Sequence, residues 1–218
     1  MSTVYYARIR FIQQLLPLLT TGTCPGHVVS VYAAGFENGT KPGELPIGLP
    51  PPEKWGILGV RKHAGFMKTF VFEQWAADYA GKLSLIHIFP GLVEGPGFYN
   101  PDLPSWFKIV WPAMKLLSYF YRTSPKDSGD VMVYLATAQF PAKDSNNERT
   151  ALIPGLEIAK STLAERGGGS YALGHRADVS SPTPIMYEKV RTAETSKLVW
   201  DHTFETLKRI ETKNANSL

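Results

Sequence analysis

The residues able to move a proton, hold a metal or attack a carbonyl are few. The five histidines stand at 27, 63, 87, 175 and 202, and the one thiol is Cys24. They are scattered, and none of the intervals is a metal-ligand spacing, so no metal centre is expected. His87, inside an apolar run, reads as a hydrogen-bonded core histidine. The glycine clusters are Gly95-Pro96-Gly97 and Gly167-Gly168-Gly169. A dinucleotide-binding fingerprint must follow a buried strand and open an amphipathic helix, and neither cluster has that context.

The elements that would position these residues follow from periodicity. Tyr5, Ile9, Ile12, Leu15, Leu16 and Leu19 share one helical face opposite Arg10, Gln13 and Gln14, so a helix is expected from residue 3 or 4. His27 to Ala33 is a β-branched run and reads as a buried strand. Gly35 to Pro52 is rich in Gly and Pro and reads as a loop. A long helix is expected from about Trp55 to Ala80, packing through Val60, Ala64, Met67, Val71, Trp75 and Ala76, with Gly81 as its cap. Leu83 to Phe89 is nearly all apolar, as a parallel strand buried on both faces is. It runs into Pro90-Gly91.

Downstream, the aromatic segment Pro104 to Tyr121, interrupted by Pro112, reads as an inserted helical lid or interface. A substrate-side flap or a membrane-surface contact is the sharper alternative. Ser124-Pro125-Lys126-Asp127 is a helix start, with Ser as cap and Pro at the first position, and that helix should reach about Ala138. Residues 139–168 read as loop, 168–173 as a last short strand, and Ala193 to Ile210 as a final helix with Leu198, Val199, Phe204, Leu207 and Ile210 inward. Alternating strands and helices imply an α/β fold with a parallel sheet and right-handed crossovers.

Bulk properties narrow the function. The chain has 218 residues, 44% hydrophobic and 19% charged, which suits one packed domain. A net charge of +4 spread among acids makes no basic tract, which argues against nucleic acid as a partner. No segment approaches the roughly 20 apolar residues needed to span a bilayer, and the start lacks the form of a signal peptide. A lone cysteine excludes an internal disulfide and points to a reducing, cytoplasmic setting.

Three stretches in this order resemble the short-chain dehydrogenase/reductase family: Leu15-Leu16-Pro17-Leu18-Leu19, Val28-Val29-Ser30-Val31, and Ile86-His87-Ile88-Phe89-Pro90-Gly91-Leu92-Val93. The runs Tyr5 to Gln13 and His63-Ala64-Gly65-Phe66-Met67-Lys68-Thr69 are similar to fungal members found with secondary-metabolite pathways. The resemblance implies the carboxyl-terminal part of a Rossmann-type doubly wound parallel sheet, spanning residues 1–211. It further implies a lid at about 98–121, a frayed tail at 212–218, and first strands and Gly-rich loop lying before Met1. It implies NAD(P) as cofactor and, with the aromatic lid, a small hydrophobic, polyketide-like metabolite as substrate. It assigns Pro90, Gly91 and Val93 to the nicotinamide side of the cofactor. The hydroxyl residue usual two positions past Val93 is here Gly95.

The family's proton relay is replaced. Its Ser falls at Ala33, its Tyr at Gly59, its Lys at His63 and its Asn at Val4. An ordinary Tyr titrates near 10, so that chemistry needs a neighbouring cation to act near neutral pH. Ser30, Tyr32 and His63 are the nearest polar groups, and Tyr32 and His63 are the candidate catalytic residues. Tyr32 could hydrogen-bond a carbonyl, and His63 could exchange a proton near pH 7. For each, a packing role is the simpler account. Two readings result: an NAD(P)-dependent oxidoreductase of a biosynthetic pathway, or a catalytically inactive relative serving as a binding or scaffold protein. With the first strands absent, the strand at 28–33 becomes an open edge. Several hundred Å² of apolar surface left exposed would cost on the order of 10 kcal/mol. Self-association, a homodimer through that edge or an incomplete gene model is the expected consequence.

Overall fold

The computed structural model describes residues 1–34, 56–93, 95, 100, 102–117, 122–144, 154–178 and 190–215. The expected loop at 35–52, part of the lid segment and the last three residues lie outside the described residues.

A π-helical turn, Ser2–Tyr6, leads into helix α1, Ala7–Thr21. Tyr5, Ile9, Ile12 and Leu16 are its buried stripe, while Leu15 and Leu19 are only half-buried. Strand β1 is Gly26–Val31, two residues shorter than the sequence suggests at its far end. Helix α2 is Ile57–Asp78 and strand β2 is Leu83–Ile88. Two-residue strands β3 (Leu92–Val93) and β4 (Arg122–Thr123) pair parallel with each other. Helix α3 is Ser105–Leu117, α4 is Pro125–Tyr134, strand β5 is Ser170–Leu173, and α5 is Ala193–Ala215.

The main sheet is β1-β2-β5, parallel throughout, with Ser30 opposite His87 and Ile86 opposite Tyr171. Every β2 residue is buried. On one face Leu83 and Leu85 join the core of α1, α2 and α5. On the other, Ile86, Ile88, Tyr171 and Leu173 pack on Leu135 and Phe140. The period of two thus feeds two cores, the α/β arrangement expected. Gly169 holds β5 close: its φ is +79°, and a Cβ there would lie 2.7 Å from the Lys143 backbone nitrogen.

α2 departs from the expected one-sided packing. Residues 63–72 are all buried, because sheet, α1 and α5 surround the helix. Val60, expected inward, is only half-buried.

α4 ends at Tyr134 rather than Ala138. Ser124 Oγ accepts from the Asp127 N–H at 3.0 Å as the capping pattern requires. At the other end the chain tightens into turns, and Thr137 Oγ1 donates to the Tyr134 carbonyl. α3 runs through Pro112 without breaking; the cost is one missing N–H donor, not the helix. In α5 the inward row is Val199, Thr203 and Leu207. Leu198 and Ile210 are 40% and 44% exposed, because an i, i+4 row carries both off the buried side. α5 continues to Ala215, past the expected end at Ile210.

Among the described residues β1 has a neighbour on one side only. Gly26 and Tyr32 donate their N–H groups toward β2, at 2.8 Å each. Strand alternation therefore points the backbone N–H and C=O groups of His27, Val29 and Val31 away from β2. This is the open edge expected, and β1 is consequently half-exposed instead of buried. Arg8 covers part of it, donating to the Val31 carbonyl at 2.6 Å. A cavity of about 600 Å³ follows the edge, lined by Phe11, Ile12, Leu15, Leu19, Val28 and Val29 among others.

Candidate functional site

In an open parallel sheet the strands' carboxyl ends leave a crevice, and ligands are generally held there. Here those ends are Val31-Tyr32, Ile88 to Gly91 and Leu173 to His175. The expected site residues all reach this end of the sheet.

Tyr32 follows β1 directly. Its ring lies between two cations, with the Lys68 ammonium 4.9 Å and the Arg8 guanidinium 5.6 Å from the centroid. Partial burial nevertheless raises the hydroxyl's pKa, against the opposing pull of Arg61 and Arg8. Tyr32 thus holds its proton at neutral pH. His63 is buried in the second turn of α2, 5% exposed. The same end of α2 reaches β2, where Arg61 stands 5.4 Å from the Phe89 ring centroid. Ala33 is 1% exposed and Gly59 half-buried, so neither position supplies a hydroxyl.

Beneath Tyr32 lies a polar cluster built on Lys68, a residue the sequence did not single out. Lys68, 0% exposed, donates to Ser30 Oγ at 3.0 Å. Beside Ser30, the buried His87 accepts the Ala33 N–H at Nε2, 3.2 Å away. An accepting Nε2 leaves the neutral ring's proton on Nδ1. Burial holds the His87 pKa well below its ordinary value, and Lys68 and then Arg8 push the same way. His87 is a buried core histidine, as expected, with a hydrogen bond at Nε2. A signal for Lys68 existed: it stands four residues after Ala64 and three before Val71, both on the packing face of α2.

The Pro90-Gly91 turn is defined by tight packing. Gly91 has φ +78°, and a Cβ on it would meet Thr123 Oγ1 at 2.7 Å and His175 Cβ at 3.0 Å. No other residue fits there. Val93 follows in β3, paired with Thr123 of β4. The Thr123 hydroxyl is buried and, among the described residues, has no hydrogen-bond partner. Buried polar groups are rarely left so; its place against Gly91 suits contact with a ligand's amide or hydroxyl. Nothing at Thr123 in the sequence suggested this, because only the β3–β4 pairing brings it to the turn.

These residues fit the small nicotinamide end of a dinucleotide. They do not supply its diphosphate site: among the described residues no glycine-rich turn joins a strand to a helix amino terminus. Gly167 and Gly169 lead into β5 instead. Three or more His, Cys, Asp or Glu side chains grouped as for a metal are also not found among the described residues. No helix of the described residues is long and apolar enough to cross a membrane.

No protein-family model matches the chain. No solved structure is significantly similar to it. Among curated proteins, the short-chain dehydrogenase/reductase SAT2 of Stachybotrys chartarum is 53% identical over 214 residues, 98% of this chain and 59% of that protein. The oxidoreductase AN1596 of Emericella nidulans is 34% identical over 205 residues, covering 91% of the chain and 58% of the relative. An NmrA-like family domain-containing oxidoreductase, notO, of an Aspergillus species is 30% identical over 186 residues, 85% of the chain and 50% of the relative. The chain therefore spans little more than half the length of the relatives it matches. Along 214 of its residues the chain is thus similar to a short-chain dehydrogenase/reductase.

Proposed function

We propose that this chain forms the substrate-side part of an NAD(P)-dependent oxidoreductase that interconverts a carbonyl and an alcohol on a hydrophobic metabolite. The observation that carries the reading is the Pro90-Gly91 turn. Its left-handed glycine packs on Thr123 and His175 at the carboxyl end of the sheet, beside a buried hydroxyl with no partner among the described residues. In this reading Gly91 and Thr123 meet the nicotinamide carboxamide, Tyr32 donates to the substrate oxygen, and Lys68 holds the Tyr32 ring in place. The aromatic side chains of α3 support an apolar substrate. The test is titration of NADPH fluorescence with the purified chain. Saturable micromolar binding, lost on Thr123→Val, supports the reading. A flat titration refutes NAD(P) binding by this chain.

A second reading rests on the resemblance, which puts Ala33, Gly59 and His63 at the family's Ser, Tyr and Lys positions, and on the burial that raises the Tyr32 pKa. Under it the chain binds a metabolite, or a second copy through the β1 edge, without turnover. Binding of NADPH without oxidation in the presence of a panel of hydrophobic ketones would select it.

A further inference from the structure

Helices α1 and α2 end around one cavity, at the side of the sheet where β1 and β2 begin. α1 stops at Thr21 and α2 at Asp78, and neither carries a basic residue in its last turn. With α5 they enclose a space of about 400 Å³, lined by Trp75, Tyr79, Trp200 and Phe204, with the exposed Asp78 at its rim. The rings stand at steep angles. Trp75 meets Trp200 at 84° and Phe204 at 65°, with centroids 6.4 and 6.0 Å apart. Trp200 meets Phe204 at 46° and 4.3 Å. Tyr79, Trp200 and Phe204 are half-buried, so each keeps surface open to the cavity's mouth. Among the described residues no lysine, arginine or histidine lines this space. The Asp78 carboxylate accepts from Gln74 Nε2 at 2.8 Å on one oxygen and, among the described residues, has no ion-pair partner.

From this we infer that the cavity binds a small alkylammonium ion. Three sources of negative potential converge on it. Aromatic faces attract a cation through their quadrupole, and several rings at different angles can surround one. The carboxyl ends of two helices add partial negative charge that no basic side chain offsets. Asp78 supplies a full charge at the rim. An anion would be repelled by all three. A calcium or magnesium ion needs more oxygen ligands than one carboxylate provides, whereas the hydrocarbon of an alkylammonium ion packs on the rings. The volume suits a small molecule. The inference does not depend on the cofactor reading, since the Pro90-Gly91 turn lies at the opposite, carboxyl end of the strands.

The test is isothermal titration calorimetry of the full chain with choline chloride, against sodium chloride at matched ionic strength. The expected result is saturable choline binding, and binding about tenfold weaker for neohexyl alcohol, its uncharged carbon isostere. Asp78→Asn should weaken choline binding roughly threefold, since the carboxylate is exposed, with the unfolding midpoint unchanged. Trp200→Leu keeps an apolar side chain but loses the ring, and should weaken choline about tenfold while changing the alcohol little. Absence of saturable heat with choline overturns the inference. So does equal binding of choline and the alcohol, or choline binding unaltered in both variants. A change of oligomeric state in Trp200→Leu by light scattering would assign the cavity to a second copy of the chain and overturns it as well.

Discussion

The first turn of the chain is tied to its last helix by one buried contact, and the energetics of that contact can be worked out atom by atom. Tyr5 Oη lies 2.8 Å from Thr203 Oγ1, both residues being 0% exposed and 198 positions apart. Thr203 Oγ1 also donates to the Val199 carbonyl at 2.7 Å. A hydroxyl has one proton, so Thr203 accepts from Tyr5. Burial raises the Tyr5 pKa far above its ordinary value, and the phenol stays protonated as the donor. The two deletions are therefore unequal. Tyr5→Phe removes the donor, leaves Thr203 still donating to Val199, and should cost about 1 kcal/mol. Thr203→Val leaves a buried phenol proton with no acceptor and should cost about 2 kcal/mol, or more. In the double variant no polar group is stranded, so its cost should fall below the sum by about 1 kcal/mol. Urea unfolding at fixed m-value measures all three, and each kcal/mol should also shift the melting temperature by roughly 2–4 °C at this size. Equal costs for the single variants, or strict additivity in the double, would refute the assignment of donor and acceptor.

Gly91→Ala combines a left-handed backbone with a Cβ inside contact distance of Thr123 and His175. A loss of about 2 kcal/mol or more is expected, together with loss of NADPH binding; an unchanged midpoint would show the turn to be pliable. Burial depresses the pKa of His87 most, and also those of His27 and His202. Their unfolded forms take up protons that the native forms refuse, so stability is complete above about pH 6.5 and is lost as pH falls below it. Urea midpoints measured across that range should drop on acidification, and His87→Gln should drop less steeply than the parent. At the open edge, Val31→Lys puts a charge where a second strand would pair and should shift self-association toward monomer in light scattering. A parent protein that is already monodisperse and monomeric removes the edge-pairing part of the argument.

How much of this was legible before the structure differs from element to element, for physical reasons. Helix α1, strand β2 and the Ser124 cap depend on neighbours a few residues apart, and local periodicity and capping chemistry describe them well. The Pro90-Gly91 turn was singled out by resemblance; why only glycine fits there became clear from residues far along the chain, Thr123 and His175. The carboxyl boundary of α4 falls short of the expected Ala138 because the helical ladder gives way to i→i−3 bonds at Ala136 and Thr137, which side-chain type does not announce.

The sequence by itself determined the α/β class and the order of strands and helices, since both reside in residue type and order. Tertiary structure alone decided that Lys68 is buried under Tyr32 against Ser30. It also set the Thr123 hydroxyl on Gly91, and it left one side of α3 in contact with solvent. Each of these joins groups from separate elements, and the burial that gives a side chain its chemistry is a property of its neighbours in space.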